Sequence, residues 1–225
     1  MPTSYHYQLS QIVELIILTD PSSLLDIGTG FGKYGVLARE YLELWGSRTK
    51  EYGKWERRID GIEAFEGYIT PLHRFVYDNI YIGEAFEIVS QLQQRYDLVL
   101  LIDVIEHFEK TKGIEFVKKI LKIGKNIIIS TPKGEFPQDK IFNNPFEIHK
   151  STWKKKDFKR FGEHFFIKNE RSIICYIGED AARIRKSLRI TTIKKILKKY
   201  FPISVYLYRV YKFLKESSVK VISTL

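Results

Sequence analysis

Cysteine is almost absent: Cys175 is the one thiol in 225 residues. A lone thiol closes no disulfide framework and supplies no cysteine-based zinc cluster, and it fits a reducing, cytoplasmic setting. No apolar run approaches the roughly 18 residues of a membrane-spanning helix, and the N-terminus lacks a signal-peptide pattern. Internal repeats and low-complexity stretches are also missing. Glycine (14) and proline (7) stand at ordinary levels, which excludes collagen-like chains. With 44% hydrophobic residues the chain can bury a full core, so a disordered reading fails. The length suits one α/β domain, or one with an appendage.

Acidic residues are scarce in one place only. Residues 181–225 hold twelve Lys or Arg against the single acid Glu216, whereas residues 1–180 hold 25 bases and 26 acids. The formal charge of +10 therefore describes a nearly neutral domain, 1–180, carrying a basic tail, 181–225. Treating the whole chain as a basic nucleic-acid binder would average two unlike parts.

Strand-like apolar runs alternate with helix-length amphipathic stretches, the pattern of βα units and a mostly parallel sheet. A helix is predicted over Tyr7–Leu18, a strand over Leu24–Ile27, and a helix from about Tyr34 to Leu44. Residues Gly46–Arg58 read as a polar surface insertion. Further strands are predicted at Ile59–Glu63, Ile80–Ile82, Leu98–Ile102 and Asn126–Ser130. After Pro132 come a loop, a lysine-rich helix near Thr152–Phe161, and two β-rich runs, His164–Lys168 and Arg171–Ile177, about an Asn169-Glu170 turn.

The strongest local signal is LLDIGTGFGKYG, residues 24–35, where a strand runs into glycines and then a helix. Backbone there can approach a ligand closely beside a positive helix terminus. Two registers compete. Gly30-x-Gly32-x-x-Gly35 matches the dinucleotide fingerprint, but Gly28-Thr29 already interrupts the strand before it. A carboxylate just ahead of the loop, Asp26, would repel a pyrophosphate and suits a ligand bearing an ammonium and a sulfonium.

In the second register, Asp26-x-Gly28-Thr29-Gly30-x-Gly32 resembles the first motif of class I S-adenosylmethionine-dependent methyltransferases. Further parts of that pattern follow in order over about residues 20–180. IDGIEAF (59–65) resembles the second strand, where Glu63 would accept the ribose hydroxyls and Ala64-Phe65 would face the adenine. Glu63 lies 37 residues after Asp26, beyond the roughly 20 of a nucleotide-binding unit, and the insertion accounts for most of the excess. Glu84-Ala85 resembles the segment that contacts the adenine amino group. YDLVLLIDVIEHF (96–108) ends a strand in Asp103 and resembles the "DVIEH" signature of small-molecule methyltransferases; NIIISTP (126–132) resembles the fifth strand.

The resemblance implies a Rossmann-like, doubly wound α/β fold of seven strands in the order 3-2-1-4-5-7-6, strand 7 antiparallel, followed by a basic helical extension. It implies S-adenosyl-L-methionine as methyl donor, bound by Asp26, Gly28, Thr29, Gly30, Gly32, Glu63, Ala64, Phe65, Glu84, Ala85 and Asp103. His107 and His149 are the candidate catalytic bases, needed where the acceptor is a hydroxyl or protonated amine. Some ubiquinone-pathway and small-RNA 2′-O-methyltransferases with a similar acid-x-x-Glu-His cluster and a later His hold a divalent metal. Asp103, Glu106, His107 and His149 stand in those places, but many enzymes with similar text use none, and no metal is expected.

Absences narrow the acceptor. The Asn/Asp-Pro-Pro-Tyr/Phe motif of adenine- and glutamine-amino methyltransferases is missing, and Cys175 falls in a late strand suited to a buried structural thiol. A small-molecule, lipid or glycan acceptor is expected, with an RNA methyltransferase or a non-catalytic cofactor-binding protein as alternatives. Tyr5 and Tyr7 form either a lid over the acceptor or part of a packed N-terminal helix. The tail carries Ile184, Leu188, Ile193 and Ile196 among lysines and arginines, then an aromatic run after Pro202. It predicts either peripheral contact with an anionic membrane, or docking on the domain or a second subunit.

Overall fold

Continuous apolar runs become strands buried on both faces. The computed structural model describes residues 3–45 and 49–200. Its sheet consists of β1 (Ser23–Ile27), β2 (Arg58–Glu63), β3 (Asn79–Ile82), β4 (Tyr96–Ile102), β5 (Gly124–Pro132), β6 (His164–Ile167) and β7 (Ser172–Gly178). Their order is β3-β2-β1-β4-β5-β7-β6, with β7 antiparallel to both of its neighbours and the first five strands parallel. The expected topology is thus the observed one.

The helices are α1 (Leu9–Thr19), α2 (Lys33–Arg39), α3 (Pro71–Val76), α4 (Ala85–Gln91), α5 (Lys110–Ile123), α6 (Lys155–Phe158) and α7 (Ala181–Tyr200). On one sheet face Leu25, Ile27, Val99, Leu101, Ile127, Ile129 and Cys175 pack with Phe116, Val117 and Ile120 of α5 and with Trp153 and Phe158. Alternate residues, among them Leu24, Leu98, Leu100, Ile128 and Tyr176, are equally buried and point the other way. There the hydroxyls of Thr19, at the end of α1, and Tyr176 share a hydrogen bond of 3.1 Å. Cys175 is buried, and that burial drives its thiol pKa well up, as a structural role requires.

Two local readings change. The helix after the glycine loop is α-helical only to Arg39 and continues as a π turn over Glu40–Leu44. Two buried charges meet here: Arg39 pairs with Glu43 at 3.0 Å and with Asp78 at 2.8 Å. Glu43 also accepts the Glu56 and Arg57 N–H groups, so the insertion is tied to the domain at its far end. The lysine-rich helix shrinks to α6 and a 3-10 turn to Phe161, because Trp153 is buried ahead of it and Asp157 receives the Lys154 N–H. Glu106 and His107 lie in a 3-10 turn, Ile105–His107, ahead of α5.

The chain divides into one unit over Met1–Ile184 and a second beginning at Arg185. Ala181 and Ile184 of α7 are buried. The aromatic run after Pro202 lies outside the described residues. Among the described residues no helix is long and apolar enough to cross a membrane.

Candidate functional site

The parallel strands β1, β2, β4 and β5 deliver their carboxyl ends to one edge of the sheet, where open α/β sheets bind ligands. A cavity of about 410 Å³ opens there, within the range of small-molecule and cofactor sites (about 300–1,000 Å³). It has two halves of different chemistry.

The first half is built from the glycine loop and the end of β2. After Ile27 the chain turns across β2, with the Gly28 and Thr29 N–H groups donating to the Ile62 carbonyl at 2.8 and 3.2 Å. Gly28 has φ +74°, and a Cβ there would stand 2.5 Å from Cγ2 of Val104, so only glycine fits. Glu63 folds back over the loop: its carboxylate accepts the Gly30 N–H at 2.8 Å and the Phe65 N–H at 2.9 Å. The oxygen that meets Gly30 also accepts the Thr29 hydroxyl, at 3.4 Å, while the oxygen that meets Phe65 keeps a lone pair for a further donor. Burial raises the Glu63 pKa, and these N–H groups oppose the rise.

Asp26 lies below the loop rather than on the cavity wall. It is buried and accepts the Tyr77 hydroxyl at 2.6 Å. Burial, with the charge of Glu63 adding, pushes its pKa up to about 6. Gly35 leaves the space that the Tyr77 ring fills. The third glycine of the dinucleotide-like register therefore serves the Asp26–Tyr77 contact.

The second half is built from the ends of β4 and β5 and the loop after β5. Asp103, at φ +53°, accepts the Ser130 hydroxyl at 2.7 Å on one oxygen and the Gln8 amide at 2.6 Å on the other. Burial raises its pKa. Glu106 is also buried, yet neither of its carboxylate oxygens has a hydrogen-bond partner. Burial, and secondarily the charge of Asp103, holds its pKa well above the carboxylate range. The loop after β5 is pinned to the same residue, because the Lys150 and Ser151 N–H groups donate to the Glu106 carbonyl at 2.8 and 3.0 Å.

That pinning brings His149 against His107, with ring centroids 4.8 Å apart. His107 Nδ1 lies 3.2 Å from the Ile148 carbonyl and His149 Nδ1 lies 2.6 Å from the Phe136 carbonyl. A carbonyl only accepts, so both Nδ1 atoms carry the proton and both Nε2 atoms present lone pairs. Burial lowers both pKa values, that of His107 to about 4, so both rings are neutral at pH 7. Among the described residues, Glu106, His107 and His149 each offer a ligand atom, and these atoms all lie within 4.8 Å of one another.

Of the residues named from the sequence, Gly28, Thr29, Gly30, Glu63, Ala64, Glu84, Ala85, Asp103, His107 and His149 line the cavity, as does Glu106. Asp26, Gly32 and Phe65 stand behind the lining. Tyr5 lines it and meets Phe136 edge-on at 6.0 Å, while Tyr7 is half exposed and absent from it. Sequence reasoning missed Tyr77, Gln8, Lys33 and Tyr34. The two after the glycine loop had a signal in their position; the other two had none.

No known family profile matches the chain. The uncharacterized protein MJ0638 of Methanocaldococcus jannaschii is 29% identical over 141 residues, 60% of this chain and 52% of that protein. The chain thus spans about half the length of that curated relative. Among solved structures, the methyltransferase domain of bacterial CtHen1 is 16% identical with a TM-score of 0.51, covering 77% of this chain and 98% of that one. The N-terminal domain of EvdMO1, solved with SAH and D-fucose, is 12% identical with a TM-score of 0.53, covering 78% and 84%. An O-methyltransferase family protein from Burkholderia thailandensis is 12% identical with a TM-score of 0.53, covering 78% and 57%. At such identities the likeness establishes the fold: this chain has the Rossmann-like α/β fold of the methyltransferases.

Proposed function

We propose that the protein is an S-adenosylmethionine-dependent methyltransferase acting on an oxygen of a small-molecule, lipid or glycan acceptor. The observation that carries this reading is one cavity with two chemistries. The glycine loop and Glu63 line one half, and the lone pairs of Glu106, His107 and His149 line the other. The fit to the donor rests on Glu63, whose one oxygen keeps a lone pair for a ribose hydroxyl and whose other would exchange its long 3.4 Å contact with the Thr29 hydroxyl for the second, and on Gly30, where a Cβ would meet nothing within 4 Å. The fold neighbour solved with SAH and D-fucose supports a sugar-type hydroxyl as one acceptor class.

Methyl transfer of this kind is an in-line displacement. The acceptor oxygen forms a bond to the methyl carbon while the carbon–sulfur bond breaks, leaving a neutral thioether. The acceptor's proton must go elsewhere. Positioning supplies most of the acceleration, of the order of 7–11 kcal/mol in well-oriented systems. A rigid loop and a pinned His149 segment serve that end. His107 and His149, neutral with Nε2 free, are able to accept the proton.

A second reading is favoured by the two unpartnered oxygens of Glu106. A buried carboxylate is costly unless it holds a proton or a cation, and two imidazole lone pairs beside it add acceptors for either. The set fits a divalent cation, with each imidazole oriented by a backbone carbonyl as metal-bound histidines are. Such a cation would supply Lewis acidity to the acceptor hydroxyl. Glu106, His107 and His149 would hold it; Asp103, engaged on both oxygens, would not.

Calorimetric titration with S-adenosylhomocysteine tests the reading. We expect saturable one-to-one binding, weakened roughly 10- to 100-fold in Glu63→Ala, the loss of charge-assisted hydrogen bonds. Folded wild-type protein that gives no heat of binding would sink it. Turnover of binding-competent protein against labelled donor and hydroxyl acceptors separates an enzyme from a cofactor-binding protein.

A further inference from the structure

The cavity makes no use of the basic tail. Residues 185–225 hold eleven Lys or Arg against the single acid Glu216. Their unit begins inside α7, whose opening turn still belongs to the domain. Ala181 and Ile184 are buried, and Arg183 pairs with Asp180 at 3.2 Å. Ile184, one of the apolar residues of the tail as read from the sequence, is thus part of the domain.

Past Ile184 the helix changes character. Ile190, Ile193 and Ile196 are 44%, 55% and 49% exposed. Arg185, Lys186 and Arg189 are exposed as well, and none of the three forms an ion pair among the described residues. Steps of three and four residues join Lys186, Arg189, Ile190, Ile193 and Ile196, and residues so spaced share one helix face. That face presents two cations and then three isoleucines to solvent.

Charge and apolar surface on one face select among partners. A nucleic-acid backbone calls for the cations alone, and the isoleucines add nothing there. A second copy of this chain would set its own eleven tail bases against the first eleven, and like charges repel. An anionic bilayer takes both: its phosphates attract the cations, and its acyl boundary receives the apolar side chains. No helix among the described residues is long and apolar enough to cross a membrane, so the contact is with the surface.

We propose that α7 from Arg185 onward is a docking surface for an anionic lipid bilayer. Arg185, Lys186 and Arg189, with the other bases of the tail, hold it to phosphate-bearing head groups. Ile190, Ile193 and Ile196 enter the boundary beneath those groups. The two contributions differ in kind, because salt screens the first over about 8 Å at physiological strength and leaves the second in place.

The test sediments the full chain with vesicles of phosphatidylcholine, alone or mixed with phosphatidylglycerol. Wild type should bind the mixed vesicles at least about 30-fold more tightly than the neutral ones. Exchanging Arg185→Gln, Lys186→Gln and Arg189→Gln together should weaken that binding roughly 30- to 100-fold. Arg185→Lys, Lys186→Arg and Arg189→Lys together should keep it within about twofold, since charge is what they share. Exchanging Ile190→Gln, Ile193→Gln and Ile196→Gln together should weaken it about 10-fold or more, and should remove the fraction that wild type retains in high salt. Unchanged thermal midpoints and helical circular dichroism show that the variants fold. Equal binding to neutral and mixed vesicles overturns the surface, as does mixed-vesicle binding that survives either glutamine exchange. Two further results overturn it: an RNA oligonucleotide bound more tightly than the mixed vesicles, or self-association that the isoleucine exchange abolishes while vesicle binding persists.

Discussion

Two acids mark the two halves of the cavity, and the chain treats them in opposite ways. Glu63 meets the Gly30 and Phe65 N–H groups at 2.8 and 2.9 Å, so its half holds its shape through its own hydrogen bonds. Both Glu106 oxygens are buried, with Thr131 as the one side chain that lowers their pKa, beside two imidazoles whose Nε2 atoms are also acceptors. A half whose polar groups satisfy one another is preorganised and can receive its ligand with little rearrangement. The half left with lone pairs only is incomplete until something electron-poor arrives, whether a cation, a proton or an acceptor hydroxyl. The difference teaches where the molecule has spent its internal hydrogen bonds and where it has kept them for a ligand.

The largest effect expected from this contrast concerns divalent cations. Metal-stripped protein titrated with Mn²⁺, Zn²⁺ or Mg²⁺ should bind one equivalent, with the nitrogen-rich set favouring the transition metals over Mg²⁺. Glu106→Gln should weaken that binding by about 100-fold or more, since even indirect support of a ligand is worth about 10- to 100-fold. Glu63→Ala should leave it unchanged. A stripped wild type that takes up no cation would turn the second half into a protonated acid beside two bases, and the contrast would become one of protonation alone.

The rigidity of the first half can be broken at Gly28. Its φ of +74° and the 2.5 Å approach of a Cβ to Val104 make Gly28→Ala both strained and overpacked. We expect a loss of about 2–4 kcal/mol in urea unfolding. Gly30→Ala, at φ +52° but with nothing within 4 Å of its Cβ, should lose only about 1 kcal/mol. Val104 lies between Asp103 and the turn that carries Glu106 and His107, so Gly28→Ala should also disturb cation binding, and Gly30→Ala should not. Equal destabilisation by both substitutions would show that the Val104 contact is soft and the halves independent.

The sheet was legible because its signals are local: unbroken apolar runs such as Leu98–Ile102 and Ile127–Ile129 have one way to be buried on both faces. The glycine loop was legible for the same reason, since φ values of +74° and +52° can be supplied only by particular residues at fixed offsets. What stayed hidden depends on chain returning from afar. Tyr77 reaches Asp26 across 51 residues, and Gln8 reaches Asp103 across 95. Neither spacing has a period or a composition to betray it. His107 and His149 were named together as candidate bases, but their shared tautomer follows from two backbone carbonyls, Ile148 and Phe136, whose positions no side-chain pattern encodes. The same long-range contacts withdrew Asp26 from the cavity wall and occupied Asp103, two of the acids that sequence reasoning placed at the methyl donor.

Asp26, like Glu63, is an acid of the first half whose burial raises its pKa, and it gives the smallest and most specific test. Its carboxyl titrates at about 6 in the folded protein against an ordinary 3.8, chiefly through burial. A raised acid pKa means that the folded state holds the proton more tightly than the unfolded state does. Stability therefore falls as pH rises from about 4 through about 6, and the full penalty persists above that, on the order of 3 kcal/mol. Asp26→Asn keeps an acceptor for the Tyr77 hydroxyl and removes the titration. Its urea midpoint should match wild type near pH 4 and exceed it at pH 8. A ligand that brings an ammonium near Asp26 would favour the carboxylate, so below pH 6 wild-type binding of S-adenosylhomocysteine should release a proton that Asp26→Asn does not. Parallel stability curves for the two proteins would mean that Tyr77 already compensates the buried charge, and that the first half is as fully satisfied at Asp26 as it is at Glu63.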